Sequence, residues 1–160
     1  MDEAIHEPKH EPTPTLAEAR RLRVDIHDAL VAAEEALSGP AWGREDVWAR
    51  EVVDALAHLR ETIEDHIEVT ERPGGLYDEI LQNAPRLAGA VQRLREEHPV
   101  LRDTTSEAIA RLRTTPVGTT WSLEDARDDI QRLFGNVVRH RQHGADLVWE
   151  AYNLDIGGIE

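Results

Sequence analysis

The sequence predicts an all-α domain, an up-down-up-down four-helix bundle, from three observations. Apolar residues recur at helical spacing in four long segments, and prolines and glycines gather where those segments end. Alanine, leucine, valine, glutamate and arginine dominate, while aromatic residues make up only 4% of the chain. At 160 residues the chain is long enough to enclose a core and too short for two ordinary domains.

The elements follow in order. The start, MDEAIHEPKHEPTPT, is polar and carries three prolines, so residues 1–14 are expected to form a disordered arm ahead of a bundle domain at 15–160. His6 and His10 belong to that arm. Thr15 and Glu18 have capping-box spacing, and Leu16, Ala19, Ile26, Leu30, Ala33 and Leu37 then recur until Ser38-Gly39-Pro40, which predicts a first helix over 16–38. Val52, Leu56, Leu59, Ile63, Ile67 and Thr70 form a second stripe ended by Pro73-Gly74-Gly75, giving a second helix over 44–71. Leu76 to Leu81 adds a short helical turn. Asn83 before Ala84-Pro85 reads as the N-cap of a third helix over 84–113, whose stripe is Leu87, Val91, Leu94, His98, Leu101, Thr105, Ile109 and Leu112. Pro99 sits inside that stripe and predicts a kink or break near His98. Ser122 with Asp125 opens a fourth helix over 123–153, carrying Ile130, Leu133, Phe134, Val137, His140, Gly144, Val148 and Ala151. Four amphipathic helices with short connections pack most simply as an antiparallel bundle.

Charge and composition narrow the function. With 18 Lys+Arg against 32 Asp+Glu the net charge is −14, which repels phosphate backbones and anionic lipid heads, so no nucleic-acid or membrane partner is expected. The chain itself is expected to be a monomer or homodimer. No cysteine is present, so a disulfide framework and a thiolate nucleophile are excluded, and any metal must be held by histidine or oxygen donors. The start lacks the pattern of a signal peptide and no apolar run approaches the ~20 residues that span a bilayer, so a cytoplasmic location is expected.

Eight histidines in a chain with few aromatics call for a test by position. On a helical wheel His98 lies at the centre of its stripe, His66 beside Leu59, Ile63 and Thr70, His27 near the edge of its stripe, and His140 one heptad after Leu133; His58 and His143 point away. Running the helices alternately from a common base at about 1.5 Å per residue puts His27, His98 and His140 at about 18–21 Å and His66 at about 9 Å. A single inward histidine reads most simply as a core imidazole satisfied by a hydrogen bond. Four converging ones would leave several polar atoms unpaired, which one bound metal would satisfy together. Glu71, five residues after His66, and Glu34, seven after His27, are the best-placed carboxylates.

One histidine on each of four helices, with DHIEVTE and GGLYDEI in and after the second helix and REEHPVL in the third, resembles the hemerythrin-like (HHE cation-binding) family. The likeness covers roughly residues 16–155. It implies a bundle whose core holds non-haem iron that binds, senses or detoxifies a small diatomic or peroxide ligand such as dioxygen, nitric oxide or hydrogen peroxide. The ligands it implies are His27, His66, Glu71, His98 and His140. Three positions depart from the family pattern: the acid expected four residues after His66 is Thr70, the fourth-helix acid falls at Gly144, and the second ligand of the third helix falls at Arg102. An iron pair, a single iron or other divalent ion, and a bundle with a degenerate, metal-free site therefore stay open. Two alternative functions accompany them: a DinB-like metal-dependent thiol transferase, in which His140 and His143 would both be ligands, and an interaction bundle with Trp42, Trp48, Trp121 and Trp149 covering an interface.

Overall fold

The computed structural model describes residues 11–154. Its helices are α1 (Pro14–Leu37), α2 (Glu45–Glu71), the short α3 (Leu76–Asn83), α4 (Ala88–Thr114) and α5 (Leu123–Trp149), with a 3-10 turn at Pro85–Leu87 and a π-helical turn at Glu150–Leu154. No strand occurs among the described residues, and a lone bridge pairs Val117 with Trp121 in the last connection. The four long helices form a closed ring in which α1 packs on α2, α2 on α4, α4 on α5 and α5 back on α1. Among the described residues no helix is long and apolar enough to cross a membrane.

Two apolar clusters fill the bundle, and their order along each helix fixes its direction. One holds Ile26, Leu30, Trp48, Leu59, Ile63, Leu101, Ile109, Phe134 and Val137; the other holds Leu16, Ala19, Val69, Tyr77, Leu94 and Leu147. The chain passes from the second cluster to the first along α1, returns along α2, advances again along α4 and returns along α5. That alternation is the up-down-up-down arrangement the apolar stripes predict.

Local signals explain the ends. Thr13, not Thr15, caps α1, its hydroxyl accepting from the Leu16 amide at 3.2 Å, with Pro14 at the first helical position. Helix α1 therefore begins inside the stretch expected to be a disordered arm; residues 1–10 of that arm lie outside the described residues. Ser122 caps α5 as expected, accepting from the Asp125 amide at 3.0 Å. Asn83 closes α3 instead of capping the next helix. Pro99 lies inside α4, which continues to Thr114 without the expected break; the proline is exposed, so water can replace the donor it removes.

Pro73-Gly74-Gly75 does more than stop α2. Gly74 has φ +73°, and a Cβ on Gly75 would lie 2.5 Å from the Val69 carbonyl oxygen, so this tight reversal needs glycine at both positions. It turns α3 back against α1 and α2 and buries Leu76, Tyr77 and Ile80. Of the four tryptophans, Trp48 and Trp121 are buried while Trp42 and Trp149 are exposed.

Candidate metal centre

Where the two apolar clusters meet, each helix places a polar residue. On α2 His66 stands between Ile63 and Val69, on α4 His98 between Leu94 and Leu101, on α5 His140 between Val137 and Leu147, and on α1 Arg23 between Ala19 and Ile26. His98 and His140 are buried, with 1% and 4% of their surface exposed. One nitrogen from each of the three imidazoles lies within 4.8 Å of the others, a group that can hold a metal ion.

The closest approaches are between Nε2 atoms: His66 to His140 at 3.2 Å and His98 to His140 at 3.2 Å. Behind them stand carboxylates. His98 Nδ1 is 3.1 Å from Glu71 Oε2, and His140 Nδ1 is 2.6 Å from Glu97 Oε2. An ionised carboxylate can only accept, so both Nδ1 atoms carry the proton and both Nε2 atoms carry a lone pair. Two acceptor lone pairs thus face each other across 3.2 Å. Nitrogen ligands about 2.0–2.1 Å from one ion in tetrahedral array lie about 3.3 Å apart, so the spacing suits a shared cation. The donor set fits as well, since neutral imidazoles suit iron, zinc, copper and nickel, and carboxylate–histidine pairs are the usual backing of metal-ligating rings.

Electrostatics keep the rings neutral and ready to donate lone pairs. Burial pushes His98 down to about 3, helped by the neighbouring His140 and opposed by Glu97. His66 is held well below its ordinary value by burial and by the charges of His98, His140 and Arg23. His140 is also lowered by burial, against the pull of its Glu97 hydrogen bond. Burial works against ionisation of Glu97, but hydrogen bonds from His140 and His143 outweigh it and hold the carboxyl below its usual range.

A phenol completes the cluster. Tyr77, brought in by α3, is buried and places its hydroxyl 3.2 Å from His98 Nε2, with the two rings stacked at 5.9 Å and 14°. Beside the histidines lies a cavity of about 30 Å³ whose walls include His66, Thr70, Tyr77, His140 and Gly144.

Among the residues singled out by sequence, His66, His98 and His140 come together, and Glu71 reaches them through the Nδ1 of His98 rather than at the shared Nε2 centre; its other oxygen is 3.7 Å from Arg95. His27 does not join them. It is exposed, and Arg141 lies 3.4 Å from its Nδ1, because the polar layer crosses α1 about one turn earlier, at Arg23. The helices do not share one base, as equal heights would require. Helix α2 ends at Glu71, only five residues past His66, whereas α4 begins at Ala88, ten before His98; α3 occupies the difference. Thr70 is buried and bonded to the His66 carbonyl at 2.8 Å, Gly144 leaves open space at the cavity, and Arg102 is exposed beside Asp103. His143 is exposed and bonds Glu97 at 2.9 Å instead of joining the three rings.

Glu97, Tyr77 and Arg23 escaped the sequence reading. Glu97 precedes His98 directly, yet its partners are on α5; Tyr77 lies in the quoted GGLYDEI, where the short turn carried no predicted position. Comparison with protein-family models, with curated proteins and with solved structures gave no match.

Proposed function

We propose that the chain is a hemerythrin-like metal protein that holds one iron ion on His66, His98 and His140 and uses it to bind, sense or detoxify a small ligand such as dioxygen, nitric oxide or peroxide. The observation that carries the metal reading is the pair of carboxylate-backed Nε2 atoms facing each other at 3.2 Å, two inward lone pairs that one cation between them would satisfy together. A single ion is favoured over a pair because Glu71 and Glu97 back the far ring nitrogens and the described residues contain one such donor group. Iron and the ligand class come from the family resemblance.

Bound there, iron would supply Lewis-acid or redox chemistry with positions left open by a three-nitrogen donor set. The protein supplies the rest. Glu71 and Glu97 fix the tautomers of His98 and His140, the apolar clusters above and below exclude water, and the space at Gly144 admits a small molecule. Tyr77 offers a hydrogen-bond donor 3.2 Å from His98 Nε2.

The same Tyr77 contact favours a second reading. A phenol donating to His98 and a His66 Nε2–H donating to His140 would satisfy both inward lone pairs without metal, as in a degenerate bundle. Elemental analysis of untagged protein grown with iron separates the two: about one metal ion per chain and an absorption change on exposure to air support the metal protein, and metal-free protein after growth with iron overturns it.

A further inference from the structure

The fourth wall of the polar layer is a cation. Arg23 is partly buried, makes no hydrogen bond or ion pair among the described residues, and lines the 30 Å³ cavity together with Arg20, His66, Thr70, His140 and Gly144. Its charge is felt by both His66 and Arg141. Those two residues carry the buried side-chain atoms left without a partner among the described residues, His66 Nδ1 and Arg141 Nε. Arg141 Nε always carries a proton, and His66 Nδ1 must carry one whenever Nε2 gives its lone pair to a metal. Beside the cavity the layer therefore presents the charge of Arg23 and the ring of His66, whose Nδ1 is an unmet N–H donor once Nε2 binds a metal.

Nearby carboxylates do not answer them. Glu18 of α1 is engaged by Arg72 at 2.7 Å, and Glu71 and Glu97 are taken by His98, His140 and His143 on the other side of the rings. A partly buried cation beside a buried donor without an acceptor is costly unless an anion joins them. The cavity has room for about two or three water-sized atoms.

We propose that the cavity is an anion site: Arg23 draws a small monovalent anion of two or three non-hydrogen atoms, of the azide, nitrite or hydroperoxide class, to the face of the histidine cluster. This deepens the metal reading and rests on it. It assigns Arg23 a recognition role in the place where α1 lacks a histidine, and it selects anions over neutral diatomics.

The test uses cobalt(II) as a spectroscopic metal and azide as the probe. Wild type, Arg23→Gln and Arg23→Lys are each loaded with cobalt, their metal content measured, and azide titrated by visible absorption. The expected result is equal cobalt uptake in all three, azide affinity weakened about tenfold or more in Arg23→Gln, and most of it restored in Arg23→Lys. Cobalt-loaded Arg23→Gln that binds azide within about twofold of wild type overturns the anion site while leaving the metal reading intact. A wild type that takes up cobalt but no azide does the same. If wild type takes up no cobalt, the metal reading fails and the anion site falls with it.

Discussion

Toward the Trp48 end of the bundle, the buried hydroxyls of Thr62 and Thr105 donate to carbonyls of their own helices, Leu59 at 2.7 Å and Leu101 at 2.6 Å. One layer further along, His66, His98 and His140 find their partners on other helices. The same helices run through both regions, so helix propensity does not explain the difference. A hydroxyl satisfied by its own turn asks nothing of its neighbours, and of the side chains that do reach across at that end, Trp48 and Arg127 donate to backbone carbonyls of Leu37 and Gly39 rather than to other side chains. An imidazole in the core must be met from across the bundle, at a level and angle the neighbours have to supply. Polar groups that depend on several helices at once mark the half of the molecule where chemistry is to be sought.

The strongest way to break this contrast is to remove a ring. His98→Ala should cut metal content to less than about a tenth of wild type and lower stability by about 2–4 kcal/mol, because a cavity would face unpaired imidazoles and Glu71. Elemental analysis and chemical denaturation would read the two effects, and full metal retention would remove the distinction between the layers. Next comes the backing carboxylate: Glu97→Gln should weaken metal affinity about 10–100-fold in chelator competition by loosening the hold on the His140 ring.

Acid should act on one region alone. The three histidines have depressed values in the fold, His98 down to about 3, so below the ordinary value of about 6.5 the unfolded chain binds protons that the folded metal-free protein refuses. Their contribution to stability is thus fully present above pH ~6.5 and lost as pH falls below it, for His98 down to about 3, with a slope of up to about 1.4 kcal/mol per pH unit for each ring. Urea midpoints across that range would show it, and a flat profile would contradict neutral burial. The smallest effect belongs to the other end: Thr105→Val should shift stability by about 1 kcal/mol or less and leave metal affinity unchanged, since the Leu101 carbonyl keeps its place in the helix. A large loss of metal on that change would show that the two layers are not separate.

Much of the fold was legible because the stripes that bury a helix also date its ends. Predicted boundaries at 16–38, 44–71, 84–113 and 123–153 lie close to the four long helices; the gap at the start of α4 arises where the short α3 and a 3-10 turn intervene, and the one at the end of α5 where the helix passes into a π-helical turn. The wheel singles out His66, His98 and His140, which the structure brings together, and His27, which it leaves exposed. Angle is written in a single helix; level is not. Whether two residues share a layer depends on how far each helix extends past it, and α3 changed that for α2. Glu97 and Arg23 were hidden for the same reason. Glu97 stands about 100° off its apolar stripe, whereas Arg23 falls within the stripe of α1, four residues after Ala19 and three before Ile26; each gains meaning only from what lies opposite, Glu97 from His140 and His143 and Arg23 from the cavity beside His66.

The polar layer also bears on how the helices find their alignment. Two stacked apolar clusters would tolerate sliding, since leucine meets leucine nearly as well one turn along. A slip of about 5.4 Å between α4 and α5 would part His140 from Glu97 and set an imidazole against Leu94 or Leu101. The three rings and their carboxylates act as a key that admits one axial register and leaves every other with stranded charges and lone pairs. With or without an ion, the layer tells the four helices where to stop.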